Sequence, residues 1–317
     1  MVAFKRGWCK PSTILFATEC PANERNFTIA LAHAKEAGAK LILLHVSRHS
    51  SRTGPHDVAK NSDREVAAFP EESLEPLADR ARDLDIDCKV ALRSGDTAEE
   101  ILKYIREWHV DRVVIGVHTA GPVGKLLVGS VAETLLRKAS IPVTIGGPYI
   151  PEGTYCNFLT RTILCSVDEH RSSQLAVQFA SVLAAQYGAR LILQHVFPPQ
   201  NKALLMAGQS FGQVERRLLR IIPLRVQAKV DVRAKVTIGD PAEELLRQGR
   251  ALHASVIVMG AHNATHFAAV CNAGPVYKVL AYATCPVIAL SPVVLAGIGS
   301  DSAMPPSPEV NFMAGVV

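Results

Sequence analysis

The sequence predicts an α/β protein of two tandem domains, each a doubly wound, five-stranded parallel sheet of the Rossmann-like kind. Three observations carry this. Short β-branched apolar runs alternate with stretches of helical spacing in the order β-α-β-α-β-α-β-α-β, a pattern that folds as parallel strands covered by helices on both faces. The whole alternation occurs twice. In each copy the fourth strand runs into a loop that opens a helix, and in the first copy that loop is rich in glycine.

The elements of the first half follow in order. TILFAT (13–18) reads as a short buried strand. ANERNFTIALAHAKEAGA (22–39) has apolar residues at helical spacing, with Gly38 suited to the position just past a helix end. LILLHV (41–46) is the second strand, and the polar, turn-rich SRHSSRTGPHDVAKNS (47–62) predicts a mobile loop. A helix is expected over about 71–84, then a third strand, DCKVALR (87–93). SGDTAEEILKYIREWHV (94–110) carries a helix capped by Asp96 or Thr97. VDRVVIG (110–116) is the fourth strand and IPVTI (141–145) the fifth.

The second half repeats these elements. RTILCSVDEH (161–170) matches PSTILFATEC (11–20), and ARLILQHV (189–196) matches AKLILLHV (39–46) at 191 − 41 = 150. GDPAEELLRQGR (239–250) matches GDTAEEILKYIR (95–106) at 239 − 95 = 144. VIVMGAH (256–262) and CPVIAL (285–290) keep the same 144. A repeat this long implies two homologous domains, over 1–150 and 158–292, joined near GPYIPEGTYCNF (147–158). Residues 293–317 have no periodicity and read as a flexible tail.

Composition excludes several classes. The chain has 317 residues, 48% of them hydrophobic, and a mild formal charge of +5. No basic run with interleaved aromatics marks a nucleic-acid surface. No apolar run is long enough to span a membrane. The amino-terminal MVAFKRGWCKPST has no apolar core of a signal peptide. Seven scattered cysteines form no CxxC pair, and Cys88 and Cys165 fall in strands, as buried thiols of a reducing compartment do. A cytoplasmic protein is the expectation.

The stretch GVHTAGPVGKLLVGS (116–130) is the candidate for chemistry. It lies at the carboxyl end of a strand and before VAETLLRKA (131–139), so free backbone N–H groups and the positive end of a helix dipole meet there. That suits a phosphate. It matches neither GxxxxGK[ST] nor GxGxxG. Ser130 and Glu133 have the spacing of a capping box, so Ser130 is equally readable as a helix cap. Lys125 is either a point charge for a β- or γ-phosphate or a solvated loop lysine. His45 and His195 repeat at one position, as do His118 and His262, with no carboxylate or thiol at ligand spacing. They read as structural or pocket-lining groups. Glu99–Glu100 and Glu243–Glu244 read as first-turn acids that favour the helix dipole.

LILLHV, GDTAEEIL and a loop similar to G-x2-G-x9-G-[S/T], followed by a helix and a strand opening in Pro-Val, resemble the universal stress protein family in its tandem form. The resemblance covers about 11–147 and 160–292. It implies an adenine nucleotide alpha hydrolase-like fold and pairing of domains through their fifth strands, here as an intramolecular pseudo-dimer, with a homodimer also open. It implies ATP, with or without Mg2+, in some members and no nucleotide in others. In the first half, Gly116 matches the first motif glycine, and Gly129 and Ser130 the closing pair. Thr119 stands in place of the second glycine, while Gly121 and Gly124 keep the loop pliant. Val46 takes the position whose backbone holds adenine, and Glu19 replaces the usual aspartate. Ile115 and Val131 flank the motif. A second, weaker site comprises Asp168, Val196, Gly260, Asn263 and Gly274. There Ala273 replaces the third glycine, and Pro275 has no N–H to offer. The resemblance thus implies a non-catalytic regulator of the stress response, acting on an unidentified protein partner and binding ATP mainly in the first half. A nucleotide-free scaffold is the alternative, and a slow ATP hydrolase ranks last.

Overall fold

The computed structural model describes residues 6–47, 70–117, 128–152, 161–168, 171–201, 210–261 and 274–294. The first half comprises α1 (Arg6–Cys9), β1 (Thr13–Thr18), α2 (Glu24–Ala37), β2 (Lys40–Ser47), α3 (Pro70–Arg82), β3 (Cys88–Ser94), α4 (Thr97–Glu107), β4 (Arg112–Gly116), α5 (Ser130–Lys138) and β5 (Val143–Gly146). The second comprises β6 (Thr162–Val167), α6 (Arg171–Tyr187), β7 (Arg190–Phe197), α7 (Phe211–Arg220), α8 (Leu224–Gln227), β8 (Val232–Ile238), α9 (Pro241–Ala251), β9 (Val256–Gly260), α10 (Pro275–Tyr282) and β10 (Val287–Leu290).

Local chemistry sets the boundaries. Gly38 adopts φ +65° and ends α2, because its N–H turns back to Ala34 and Lys35 carbonyls in a left-handed conformation that glycine enters without strain. Asp96, rather than Thr97, caps α4 by accepting the N–H of Glu99. Asp240 does the same for α9 with Ala242 and Glu243. The acid pairs 99–100 and 243–244 lie in first turns, as expected.

The strands form one ten-stranded sheet in the order β3-β2-β1-β4-β5-β10-β9-β6-β7-β8. Each half is parallel, and the halves meet where β5 and β10 pair antiparallel, Thr144 opposite Ile288. The fifth-strand pseudo-dimer implied by the resemblance is therefore present within one chain. One sheet face is covered by α4, α5, α9 and α10, which share a core with Leu15, Ile42, Val143, Ile257 and Val287. The other face carries α2 and α3 in the first half and α6 and α7 in the second. The alternation of strand side chains between faces builds both layers from the same strands.

One contact between halves has no counterpart in the sequence reading. Trp8 and Cys9 of α1 leave the first half and pack in the core of the second, with Phe179, Leu183 and Val294. Arg112 of β4, fully buried, donates to the Trp8 carbonyl and lies 5.5 Å from the Phe179 ring. Burial lowers its pKa to about 10, so the guanidinium stays charged at neutral pH. Ser291 adds a second tie, donating to the Ala139 carbonyl across the join.

Candidate nucleotide site

In an open α/β sheet the ligand crevice lies outside the carboxyl ends of the strands where strand order reverses. In the first half that is the gap between β1 and β4. A cleft of about 430 Å³ opens there, lined by Phe16 to Glu19, Pro21 to Asn23, Thr97 and Ile101 of α4, Ile115 and Gly116, and Gly129 to Ala132. The volume lies in the range of small-molecule sites, roughly 300–1,000 Å³.

The start of α5 is the polar end of this cleft. Gly129 is its N-cap, extended at φ −64° and ψ 160°, and provides no side-chain cap. Ser130 is the first helical residue and is exposed, which corrects its reading as a cap: a cap residue must be extended, and the extended residue here is Gly129. The first helical bond runs from the N–H of Glu133 to the Gly129 carbonyl. Helix geometry therefore leaves the N–H groups of Ser130, Val131 and Ala132 without intrahelical partners, at the wall of the cleft.

The two motif glycines that can be placed serve different ends. A Cβ on Gly129 would meet nothing within 4 Å, so this backbone faces open space. A Cβ on Gly116 would stand 2.0 Å from Nδ2 of Asn26. Gly116 and Gly146 are register partners on β4 and β5, and the buried Asn26 side chain fills the notch between them. A protein side chain is thus sufficient to require glycine at 116. At the offsets of 150 and 144, the second half has Ala176 and Leu290 in place of Asn26 and Gly146, both fully buried.

Of the other expected residues, Glu19 lies on the cleft rim with an exposed side chain, and Ile115 and Val131 line the cleft. Val46 does not line it; it is buried at the end of β2, opposite Arg93. The structure places Thr97 and Ile101 of α4 on that wall instead. Thr119, Gly121, Gly124 and Lys125 lie outside the described residues, as do His118, His262, Asn263 and Ala273. The sequence does not single out Thr97 and Ile101 as cleft residues, nor Asn26 as the side chain that fills the glycine notch. The signal for Asn26 was a pair of glycines, each ending a strand, that adjacent strands bring side by side.

The second half is built differently. The N–H of Asp168 donates to Ser173 Oγ at 2.8 Å, tying the end of β6 to α6. Val196 is half-buried in β7, and Gly260 ends β9 opposite Leu290. Gly274 caps α10 and Pro275 is its first residue. The first helical bond joins the N–H of Lys278 to the Gly274 carbonyl, so two N–H groups remain, those of Val276 and Tyr277, against three at α5.

The histidines repeated in the second strands, His45 and His195, are structural. His45 Nδ1 donates to the Thr18 carbonyl at 3.1 Å and His195 Nδ1 to the Val167 carbonyl at 2.8 Å, each tying a second strand to the end of a first. A carbonyl only accepts, which assigns the proton to Nδ1. Among the described residues no three His, Cys, Asp or Glu side chains gather as a metal site. Cys88 and Cys165 are buried free thiols, as expected, and burial raises both pKa values, that of Cys88 to about 12. No helix among the described residues is long and apolar enough to cross a membrane.

Comparison with known proteins agrees with this architecture. Universal stress protein YxiE of Bacillus subtilis (strain 168) is 28% identical over 121 residues, covering 35% of this chain and 82% of its own. The crystal structure of a universal stress protein from Archaeoglobus fulgidus DSM 4304 superposes with a TM-score of 0.69 at 20% identity, covering 90% of this chain and 97% of that one. A functionally unknown protein from Pseudomonas aeruginosa PAO1 superposes at 0.61 with 17% identity, over 93% and 98%. The profile of the universal stress protein family matches residues 11–145 and again 160–291, and the chain therefore belongs to the universal stress protein family.

Proposed function

We propose that the first-half cleft binds an adenine nucleotide, ATP, and that the protein is a non-catalytic regulator in the response to stress. The observation that carries this is the start of α5. Three N–H groups without helical partners belong to residues that line a cleft of about 430 Å³, beside a glycine whose missing side chain leaves open space. Phosphate oxygens fit such a helix end. Ala17, Ile101 and Ile115 provide an apolar wall for a base. Mg2+ would enter with the phosphates, held by them, by water and by the Glu19 carboxylate. The described lining offers that one carboxylate, and we read the cleft as a site of binding rather than turnover. The second half, with Pro275 at the matching helix start, is a structural partner. Binding would order the chain between β4 and α5 and so alter a surface offered to a protein partner.

A nucleotide-free scaffold is the second reading. It is favoured by Asn26, whose side chain accounts for Gly116 without any ligand. The test is to purify the protein without added nucleotide, denature it, chromatograph the supernatant, and then titrate with ATP and Mg2+. Gly129→Asp puts a carboxylate where the phosphates would lie and is expected to weaken binding about a hundredfold. Gly274→Asp, in the second half, should leave it unchanged. Equal ATP affinity for Gly129→Asp and the unaltered protein overturns the site. Absence of saturable binding favours the scaffold.

A further inference from the structure

We propose that the protein associates with itself head to tail, the acidic flank at α3 of one copy seated on the basic flank at α7 and α8 of the next. The repeat relates these flanks, and their charge is reversed. Residues 71–87 hold seven acids and two arginines, a net charge of −5, whereas residues 215–231, at the offset of 144, hold five cations and two acids, a net charge of +3. Glu72 and Arg216 are equivalent positions, as are Asp85 and Lys229.

Pairing within the fold does not consume these charges. Glu75 and Asp79 pair with Arg82, and Asp87 pairs with Lys40. Glu71, Glu72, Asp83 and Asp85 are exposed and carry no ion pair among the described residues. On the other flank Asp231 pairs with Arg190 and Arg233. Arg216, Arg220, Arg225 and Lys229 are likewise exposed and unpaired among the described residues. Each flank also presents an apolar side chain to solvent, Leu84 on the acidic one and Leu224, 82% exposed, on the basic one.

Topology makes the two flanks accessible to each other in different copies. β3 and β8 are the outer strands of the sheet, so α3 and α7 lie at its opposite ends. Both sit on the same sheet face, because the join at β5 and β10 is an antiparallel pair that turns the second half about an axis normal to the sheet. Two copies side by side along the sheet therefore bring α3 of one beside α7 and α8 of the other on one face. Within a single chain these flanks cannot meet. The contact joins unlike surfaces, so it repeats into rows of copies unless a rotation closes it. Exposed charges on both sides make it sensitive to ionic strength, since the screening length falls from about 30 Å at 0.01 M to about 3 Å at 1 M.

Sedimentation velocity of the full chain tests this. The unaltered protein should sediment above its 34.2 kDa monomer mass at low salt and return to it at high salt. An acid variant (Arg216→Glu, Arg220→Glu, Arg225→Glu) and a base variant (Glu71→Lys, Glu72→Lys, Asp83→Lys, Asp85→Lys) should each be monomeric alone. Mixing them should restore association, because each flank of one then meets an opposite flank of the other. The substituted side chains are exposed, and circular dichroism of each variant confirms folding. A monomer at every salt concentration overturns the proposal, as does association that both variants retain or that mixing fails to restore. Vesicles with and without phosphatidylserine provide the remaining arm. Binding by a protein that stays monomeric, lost in the acid variant, would assign the basic flank to an anionic membrane and also overturn the proposal.

Discussion

Replacing Gly116 by alanine tests whether this motif glycine serves packing or a ligand. The new Cβ would lie 2.0 Å from Nδ2 and 3.0 Å from Cγ of Asn26, where ordinary contact begins near 3.5 Å. Asn26 already packs against Gly146, its Oδ1 2.0 Å from where a Cβ on that residue would stand, so it has little room to retreat that way. Overpacking of this kind costs about 3 kcal/mol. For a chain of this size that lowers Tm by about 4–5 °C. Asn26→Ala alone removes an amide whose Oδ1 has no hydrogen-bond partner among the described residues, so its cost should be about 1 kcal/mol. The double variant should then resemble Asn26→Ala, giving a coupling of about −3 kcal/mol between the two sites. Thermal denaturation of the four proteins of the cycle, without nucleotide, measures it. If Gly116→Ala is as stable as the unaltered protein, or if Asn26→Ala does not rescue it, the packing account is refuted.

Three further outcomes are expected. Burial, and then the charge of Arg112, hold the His33 imidazole well below its ordinary pKa. The unfolded chain takes up that proton near pH 6.5 and the folded chain does not, so stability is full above that pH and declines below it by about 1.4 kcal/mol per unit. His33→Gln should flatten this decline between about pH 6.5 and 4.5, and parallel denaturation midpoints for the two proteins would refute it. Partial burial raises the Asp240 pKa, but the N–H of Glu243, the Lys278 ammonium and the N–H of Ala242 reverse this and hold the carboxyl below its ordinary range. Its contribution is present above the unfolded value and lost as pH falls through the folded one. Asp240→Asn, which keeps a cap acceptor, should therefore lose less stability on acidification from pH 5 to pH 3, as read by Tm. Trp8→Ala removes the anchor of α1 from the core of the second half and should cost about 3 kcal/mol. An unchanged Tm would show that α1 does not clasp the halves.

Much of the fold was legible because its signals are local. The strand alternation, the Gly38 helix end and the Asp96 cap each depend on a few consecutive residues, and the second copy of the pattern confirmed the first. The cleft was legible in part. Ile115, Gly129 and Val131 come to it because a loop after a fourth strand must open where strand order reverses. The cap reading of Ser130 fails because its spacing to Glu133 mimics a capping box, while the backbone turns one residue earlier. Val46 lies apart from the described lining of that cleft, buried near the end of β2.

What the sequence by itself determined is the element order, the two-fold repeat and the family, since periodicity, caps and repeated motifs are properties of short stretches. Only the tertiary structure decided what individual residues are for. Gly116 and Gly146 form a notch only when β4 and β5 pair, and Asn26 fills it only because α2 starts above them. Arg112 is a buried clasp rather than a strand-end charge only because α1 crosses to the second half and places Trp8 over it. The physical reason is common to all three: burial and close approach are set by partners tens of residues away in the chain, and a spacing pattern carries no record of them.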